Sequence, residues 1–301
     1  MWNPRRICSN NAVRKGVKMA EIKTIMVVGA GTMGCGIAQV CIESGFQTLL
    51  VDTDIKTAQE GKDKVSFFLN RKVEKRIMNR EEMINSLKLL VTGNSFIDGK
   101  DSDLVIEAIN ENVELKINIF KELDNYIKSD SILASNTSTI SITMLGGATK
   151  RPEKVIGMHF FLPPPVMKLI EIIPGICTER ETIDTVIGVT SHMGKTHVLA
   201  PDSSGFLVNR LLVPMWNEAA FLVMEGSLPE DIDTAMKLGA NIPMGPLELA
   251  DFAGLDTVLS VMTQMYTDLG ESKYRPCPLL KKMVYANMLG RKTKKGFYNY
   301  D

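Results

Sequence analysis

Short, almost wholly apolar runs alternate with stretches of helical periodicity through the first two thirds of the chain. A turn residue or a charge bounds each run, and the runs cover residues 25–28, 48–51, 104–106, 132–134 and 155–157. Between the first two runs, apolar residues recur at the spacing of an amphipathic helix. Apolar strands that alternate with such helices predict a parallel sheet covered on both faces, and hence an α/β domain over residues 21–203.

The pattern changes after the turn-rich segment 201–205, where strand-like runs largely stop and helical periodicity dominates. We therefore predict an all-helical C-terminal domain over residues 204–301, with a long helix over residues 206–225 that Pro214 should kink. That helix is apolar nearly all round, so it needs burial on all sides. A domain of about 100 residues can scarcely enclose it, which predicts a symmetric homodimer or a higher homo-oligomer.

A polar segment at about residues 55–85 interrupts the α/β pattern. Basic residues set among apolar ones predict a helical excursion that projects from the sheet. Its charge run is by default a solvated face, and we treat the segment as part of the α/β domain.

Composition narrows the class of protein. The 301 residues include 35 basic and 35 acidic side chains, a balance that favours neither nucleic acid nor a membrane surface as a partner. No apolar stretch reaches the length of about 18 residues that a bilayer span needs. The five cysteines are scattered and contain no C-x-x-C pair, so we predict free thiols in a reducing compartment and no metal site.

Residues 1–20 carry five basic side chains and no acidic one. An N-terminal segment that contains arginines and no acidic residue is compatible with a mitochondrial transit peptide, which would place the protein in the matrix. The alternative is an upstream start with Met19 as the natural first residue of a cytoplasmic protein. We prefer the second reading, because the asparagines and the proline of this segment make a poor amphipathic helix.

The sequence Gly29-Ala30-Gly31-Thr32-Met33-Gly34 follows the first predicted strand and opens a helix. In this pattern the first glycine makes a tight turn, the second lets a pyrophosphate approach the backbone, and the third lets the helix pack on the strand. Asp52, 23 residues after Gly29, would accept hydrogen bonds from a ribose 2′-hydroxyl and repel a 2′-phosphate. We predict a Rossmann-like domain that binds NAD rather than NADP through Gly29, Gly31, Thr32, Met33, Gly34 and Asp52.

His159 lies at the end of the last apolar run, and Glu171 follows twelve residues later inside another apolar segment. Ligands of an open parallel sheet bind beyond the carboxyl ends of its strands, which is where His159 falls. A proline-rich reversal could return Glu171 to His159, and a carboxylate in an apolar run is costly unless it is paired. The residues thus indicate an acid–base pair, with a core histidine as the alternative. We expect the other histidines, His192 and His197, at the surface.

Motifs in one order along residues 22–301 resemble the 3-hydroxyacyl-CoA dehydrogenase family, and most of all its short bacterial 3-hydroxybutyryl-CoA dehydrogenases. The resemblance implies a Rossmann-like domain, a helical C-terminal domain that dimerises, NAD as cofactor and an acyl-CoA substrate. It is carried by the glycine loop with Asp52 and by the segments 105–112, 135–138, 159–161, 165–171, 205–210, 244–246 and 290–298.

The resemblance also implies catalytic roles. His159 would remove the proton of the substrate 3-hydroxyl while hydride leaves C3 for the nicotinamide. Glu171 would orient the imidazolium and stabilise its charge. Ser138 and Asn209 would hold the substrate oxygen and its neighbouring carbonyl.

Charged residues match further positions of the family. Glu111, Lys116 and Lys292 correspond to positions near the cofactor. The helical arm of the family supports coenzyme A, whose phosphates need cations. The candidates in this chain are Lys72, Lys75 and Arg76, and a solvated face is the alternative for each of them.

The chain departs from the family at Leu162, where the family usually has asparagine. An amide near the nicotinamide and the substrate is replaced by a group that neither donates nor accepts a hydrogen bond. Two other functions therefore stay open. One is a dehydrogenase of the same fold that acts on a non-CoA hydroxy acid or sugar acid, and the other is a non-catalytic NAD-binding protein.

Overall fold

A computed structural model describes residues 22–301, which form two compact units. Residues 22–202 belong to the first unit, and Ser203–Asp301 form the second. The extension predicted over residues 1–20 lies outside the described residues.

One mixed sheet organises the first unit. Its strands are β1 (Thr24–Val28), β2 (Gln47–Val51), β3 (Leu90–Gly93), β4 (Leu104–Glu107), β5 (Ile132–Ser135), β6 (Val155–Phe160), β7 (Leu169–Pro174) and β8 (Thr196–Leu199). They are arranged in the order β3-β2-β1-β4-β5-β6-β7-β8. Neighbouring strands are parallel except β6 and β7, which run antiparallel. The five predicted apolar runs fall in β1, β2, β4, β5 and β6, and the α/β class is confirmed.

Helices pack against this sheet. In chain order they are α1 (Thr32–Glu43), α2 (Ile55–Glu74), α3 (Arg80–Lys88), α4 (Val113–Tyr126), α5 (Ile142–Gly147) and α6 (Arg180–His192). Helix α1 contacts β1 and β2, α2 contacts β2 and β3, and α6 contacts β6, β7 and β8. The buried core joins strand residues such as Leu50 and Ile156 to helix residues such as Ile37 and Val186. Burial of these apolar faces stabilises the unit by roughly 25 cal/mol per Å² removed from water.

The predicted excursion consists of the two helices α2 and α3, and α2 does not simply project. Its residues Ala58, Gly61, Val65 and Leu69 recur at helical spacing and are buried. A Cβ added at Gly61 would lie 3.0 Å from the side chain of Leu50 in β2. The prediction of a projecting arm is therefore wrong for this face of α2, because its apolar stripe packs on the sheet.

Two strands at the edges of the sheet, β3 and β8, were not predicted. Each has a neighbour on one side only and carries polar residues, so neither shows the apolar run of a central strand. His197, which we expected at the surface, lies in the edge strand β8 and is half-buried. His192 is exposed at the end of α6, as predicted.

The second unit is helical. Its helices are α7 (Val208–Met224), α8 (Pro229–Gly239), α9 (Pro246–Ala253), α10 (Leu255–Leu269) and α11 (Pro278–Tyr285). Val213 and Trp216 of α7 join Val258 and Met262 of α10 in the core. The opposite side of α7 is not covered within the described chain, since Leu211 is 75% exposed.

Three further properties concern the described residues alone. No helix there is long and apolar enough to cross a membrane. No group of three or more metal-ligating side chains is placed to hold an ion in this part of the chain. The cysteines at 35, 41, 177 and 277 are free, whereas Cys8 lies outside the described residues.

Candidate active site

The turn from β1 into α1 requires glycine at two positions. Gly29 has a φ of +103°, and a Cβ there would lie 2.8 Å from the carbonyl oxygen of Ala108. At Gly34 a Cβ would lie only 1.7 Å from the carbonyl oxygen of Gly29. Gly29 therefore makes a turn that other residues rarely adopt, and Gly34 lets α1 pack against the end of β1.

The middle glycine of this turn faces open space. Apart from Gly31 itself and its two chain neighbours, no residue has an atom within 4 Å of the position that a Cβ of Gly31 would occupy. Gly31 is also the N-cap of α1, and no side chain caps the helix there. An uncapped helix N-terminus with open space before it fits a pyrophosphate, because its N–H groups and dipole favour an anion.

Asp52 follows β2 and lies beside the glycine loop. Its Oδ2 accepts a hydrogen bond of 2.7 Å from the Ala30 N–H, and its Oδ1 accepts one of 2.8 Å from the Thr53 N–H. A cavity of about 370 Å³ opens beside it, with Gly29, Phe96 and Ile109 among the residues that line it. An apolar cavity with a carboxylate at its edge fits an adenosine group whose ribose carries a free 2′-hydroxyl.

Three charged side chains meet where β4 ends and α4 begins. The Lys116 ammonium lies 2.6 Å from Glu107 Oε1 and 3.2 Å from Glu111 Oε2. Glu107 is 0% exposed and Lys116 is 1% exposed. Burial of such charges is tolerated only with close partners, and here one ammonium is shared between two carboxylates. Lys116 and Glu111 were predicted from the resemblance, whereas Glu107 was not.

Glu111 holds the loop that follows β5. Its Oε1 lies 2.5 Å from Thr137 Oγ1, 2.9 Å from the Ser138 N–H and 3.1 Å from Thr139 Oγ1. Burial alone would raise the pKa of Glu111, but the Lys116 charge and these hydrogen bonds outweigh it and lower the pKa. Glu111 therefore stays ionised, and an ionised carboxylate accepts all of these donors.

His159 and Glu171 are direct neighbours across the antiparallel pair of β6 and β7. The Nδ1 atom of His159 lies 2.7 Å from Glu171 Oε2, and both side chains are buried. The ring of Phe161 packs against the imidazole, with 4.6 Å between the ring centroids. The proline-rich reversal thus does bring the two residues together, because the strand register pairs them.

The reversal itself is held by Lys195. Its ammonium donates to the carbonyl oxygens of Pro164 and Met167, at 2.6 and 2.7 Å. Burial lowers the pKa of this lysine. Leu162, on the same reversal, is 58% exposed and so presents an apolar surface to solvent.

The three basic residues proposed for coenzyme A differ in their surroundings. The Lys72 ammonium lies 2.6 Å from Glu43 Oε1, so it is already paired. Lys75 and Arg76 are exposed just after α2. The structure therefore gives Lys72 a local role in joining α2 to α1, and leaves two cations at the surface.

Comparisons with known proteins cover both units. The sequence pattern of the 3-hydroxyacyl-CoA dehydrogenase NAD binding domain matches residues 24–203, and that of the C-terminal domain matches residues 205–300. The chain belongs to the 3-hydroxyacyl-CoA dehydrogenase family. It is therefore an NAD-dependent oxidoreductase, and the NAD prediction is confirmed.

Several members of the family resemble the chain over nearly its whole length. A probable 3-hydroxybutyryl-CoA dehydrogenase of Bacillus subtilis is 48% identical over 282 residues, which are 93% of this chain and 98% of the relative. The human mitochondrial hydroxyacyl-coenzyme A dehydrogenase is 38% identical over 304 residues, 98% of this chain and 97% of the relative. The crystal structure of (S)-3-hydroxybutyryl-CoA dehydrogenase from Ralstonia eutropha superposes with a TM-score of 0.91 at 45% sequence identity. The match covers 93% of this chain and 100% of the Ralstonia chain.

Two predicted family positions lie in the second unit. Asn209 is half-buried in the first turn of α7. The Lys292 ammonium lies 2.8 Å from Asp256 Oδ1. The segment around Lys292 is anchored by Asp251, whose carboxylate accepts hydrogen bonds from the Phe297 and Tyr298 N–H groups.

Sequence reasoning assigned no role to Glu107 or to the cavity beside Asp52. Glu107 stands inside a segment that matches the family, but its partners Lys116 and Ser135 lie on other elements. A charged residue that ends an otherwise apolar strand was the available signal, because such a charge needs a partner.

Proposed function

We propose that the protein interconverts short-chain 3-hydroxyacyl-CoA, with 3-hydroxybutyryl-CoA as the expected substrate, and the corresponding 3-oxoacyl-CoA. The observation that carries this proposal is the buried His159–Glu171 pair at 2.7 Å, near the carboxyl end of β6. The names of the Bacillus subtilis and Ralstonia eutropha relatives support a four-carbon substrate.

His159 acts as the acid–base group in this proposal. When its Nδ1–H is donated to Glu171, the basic lone pair is at Nε2, and this atom takes the proton of the substrate 3-hydroxyl. The Glu171 carboxylate keeps the ring in that tautomer and stabilises the imidazolium that forms. Ser138 and Asn209 hold the substrate oxygen and the thioester carbonyl. In the reverse direction His159 returns the proton to the 3-oxo group.

NAD supplies the hydride acceptor for this reaction. The backbone of the loop at Gly29, Gly31 and Gly34 would hold its pyrophosphate, and Asp52 its adenosine ribose. Glu111, Lys116 and Lys292 are the further residues that we assign to the cofactor. Lys75 and Arg76 remain our candidates for the coenzyme A phosphates. Lys72 joins them if its ion pair with Glu43 breaks.

We also propose that the protein is a homodimer or a higher homo-oligomer in a reducing compartment, the cytoplasm or otherwise the mitochondrial matrix. The apolar surface that supports assembly includes Leu211 of α7 and Leu238 of α8, which are 75% and 82% exposed. Light scattering at micromolar concentration should give a mass of at least twice 33.3 kDa. A monodisperse monomer would refute the assembly.

A comparison of candidate substrates tests the proposed reaction. We expect NADH consumption with acetoacetyl-CoA and none with acetoacetate or an oxidised sugar acid at equal concentration. Consumption with the free acid alone would replace the proposal with a hydroxy-acid dehydrogenase. If none of these compounds supports turnover while NADH still binds in a calorimetric titration, the protein is a non-catalytic NAD-binding protein.

A further inference from the structure

A closed ring of hydrogen bonds and ion pairs connects the ends of β4 and β5. Glu107 Oε1 lies 2.6 Å from the Lys116 ammonium, which lies 3.2 Å from Glu111 Oε2. Glu111 Oε1 is 2.5 Å from Thr137 Oγ1, and the Thr137 N–H donates to Ser135 Oγ at 3.2 Å. Ser135 Oγ donates to Glu107 Oε2 at 2.5 Å and so closes the ring.

Glu107 differs from Glu111, the other carboxylate of this ring, because solvent cannot reach it. It is 0% exposed, whereas the side chain of Glu111 is 37% exposed. A ligand that enters from solvent would meet Glu111 and the loop at Ser138, with Glu107 behind them. Glu107 can therefore act on the site only through its partners.

We propose that Glu107 is a positioning residue that holds the loop of Ser138 in the geometry needed for catalysis. One route runs from Glu107 through Lys116 and Glu111 to the Ser138 N–H, which donates to Glu111 Oε1 at 2.9 Å. The other route runs through Ser135 to the N–H of the residue before Ser138. This inference rests on the role proposed above for Ser138.

The carboxylate at position 107 satisfies three donors at once. Its two oxygens accept from the Lys116 ammonium, the Ile109 N–H and the Ser135 hydroxyl. An amide has one acceptor oxygen, so its NH₂ group would face either the Lys116 and Ile109 donors or the Ser135 hydroxyl, which would have to turn to accept from it. Glu107→Gln therefore keeps the volume, removes the negative charge beside Lys116 and disturbs one link of the ring.

A double-mutant cycle on the full-length protein tests the positioning role. We expect Glu107→Gln to lower kcat/KM for acetoacetyl-CoA by about 10-fold to 100-fold, as a misplaced catalytic group does. Ser138→Ala should cost about 10²- to 10³-fold. In the Ser138→Ala background, Glu107→Gln should cost no further kcat/KM beyond about twofold, because the group that Glu107 positions is already absent.

A matched control removes another buried ion pair from the same helix. Asp124 of α4 accepts from Arg151 Nε at 2.7 Å, and both residues are buried. Asp124→Asn should lower the melting temperature and leave kcat/KM unchanged in both backgrounds. NADH affinity, measured by calorimetry, should fall by a smaller factor than kcat/KM in Glu107→Gln, because Lys116 keeps its ion pair with Glu111.

The outcomes separate the two proposals. If Ser138→Ala keeps full kcat/KM, the role of Ser138 is wrong and the positioning role of Glu107 falls with it. If Ser138→Ala is impaired but Glu107→Gln costs as much in that background as alone, or weakens NADH binding by the same factor, only the positioning role is overturned. Should Glu107→Gln not fold, Ser135→Ala takes its place, because it breaks the ring at one hydroxyl. We expect Ser135→Ala to lower kcat/KM in the wild-type background and to cause no further loss in the Ser138→Ala background.

Discussion

The glycine loop and the His159–Glu171 pair belong to one sheet, yet they are built from different parts of the chain. The loop acts through its backbone, and what matters at Gly29, Gly31 and Gly34 is the absence of a side chain. The pair acts through two side chains that the register of β6 and β7 brings together. The strands β4 and β5 lie between the two regions and carry the Glu107 ring.

In the reaction that we propose, cofactor binding and proton transfer should therefore be separable by substitution. A methyl group added to the loop obstructs an anion without touching the imidazole. Removal of the imidazole leaves the loop and its helix N-terminus unchanged.

His159→Ala should lower kcat for acetoacetyl-CoA reduction by roughly 10²- to 10⁴-fold, because a positioned acid–base group is worth that much. Glu171→Gln should also be strongly impaired, since the amide cannot stabilise the imidazolium. Steady-state NADH consumption measures both variants. A near-normal kcat in His159→Ala would show that His159 is an ordinary core histidine without an acid–base role.

Alanine at two glycines should have opposite consequences. Gly34→Ala places a methyl group 1.7 Å from the Gly29 carbonyl oxygen and should destabilise the first unit by about 3 kcal/mol or more. Gly31→Ala meets no atom and should cost about 1 kcal/mol or less of stability. It should nevertheless weaken NADH binding about 10-fold or more, because the methyl group occupies the approach of the pyrophosphate. Thermal unfolding and NADH titration of both variants measure these effects. Equal destabilisation would contradict the open space at Gly31.

The cofactor preference should follow from Asp52. We expect NADH to be used about 10- to 100-fold more efficiently than NADPH, because the carboxylate repels a 2′-phosphate. Asp52→Asn, which keeps the shape and the oxygen facing the Ala30 N–H, should narrow this ratio. Equal kcat/KM for NADH and NADPH in the wild type would contradict the role of Asp52 in cofactor selection.

The smallest effect should come from Leu162→Asn. If an amide here holds the nicotinamide or the reacting oxygen, it restores one hydrogen bond of about 0.5–1.5 kcal/mol and raises kcat/KM on acetoacetyl-CoA a few-fold. If Leu162 packs on the acyl chain instead, the variant loses efficiency and its chain-length preference shifts. Substrates with acyl chains of different length distinguish the two. No change on any of them would show that Leu162 faces neither ligand.

The central strands and the pairing of His159 with Glu171 could be predicted from the sequence for physical reasons. Strands buried on both faces give uninterrupted apolar runs, and Glu171 inside such a run needed a partner that His159 could provide. The edge strands β3 and β8 could not be predicted, because strands with one neighbour tolerate polar residues. Glu107 and Lys116 are nine residues apart on different elements, and only the turn from β4 into α4 brings them within 2.6 Å. The roles of the site residues stay predictions.

Titration calorimetry of His159→Ala with NADH, with the turnover of the same protein assayed in parallel, shows whether His159 serves proton transfer or cofactor binding. We expect wild-type NADH affinity, within about twofold, beside a loss of roughly 10²- to 10⁴-fold in acetoacetyl-CoA turnover. Loss of NADH binding in proportion to the loss of turnover would contradict this expectation, because the imidazole would then support the cofactor site rather than transfer the proton.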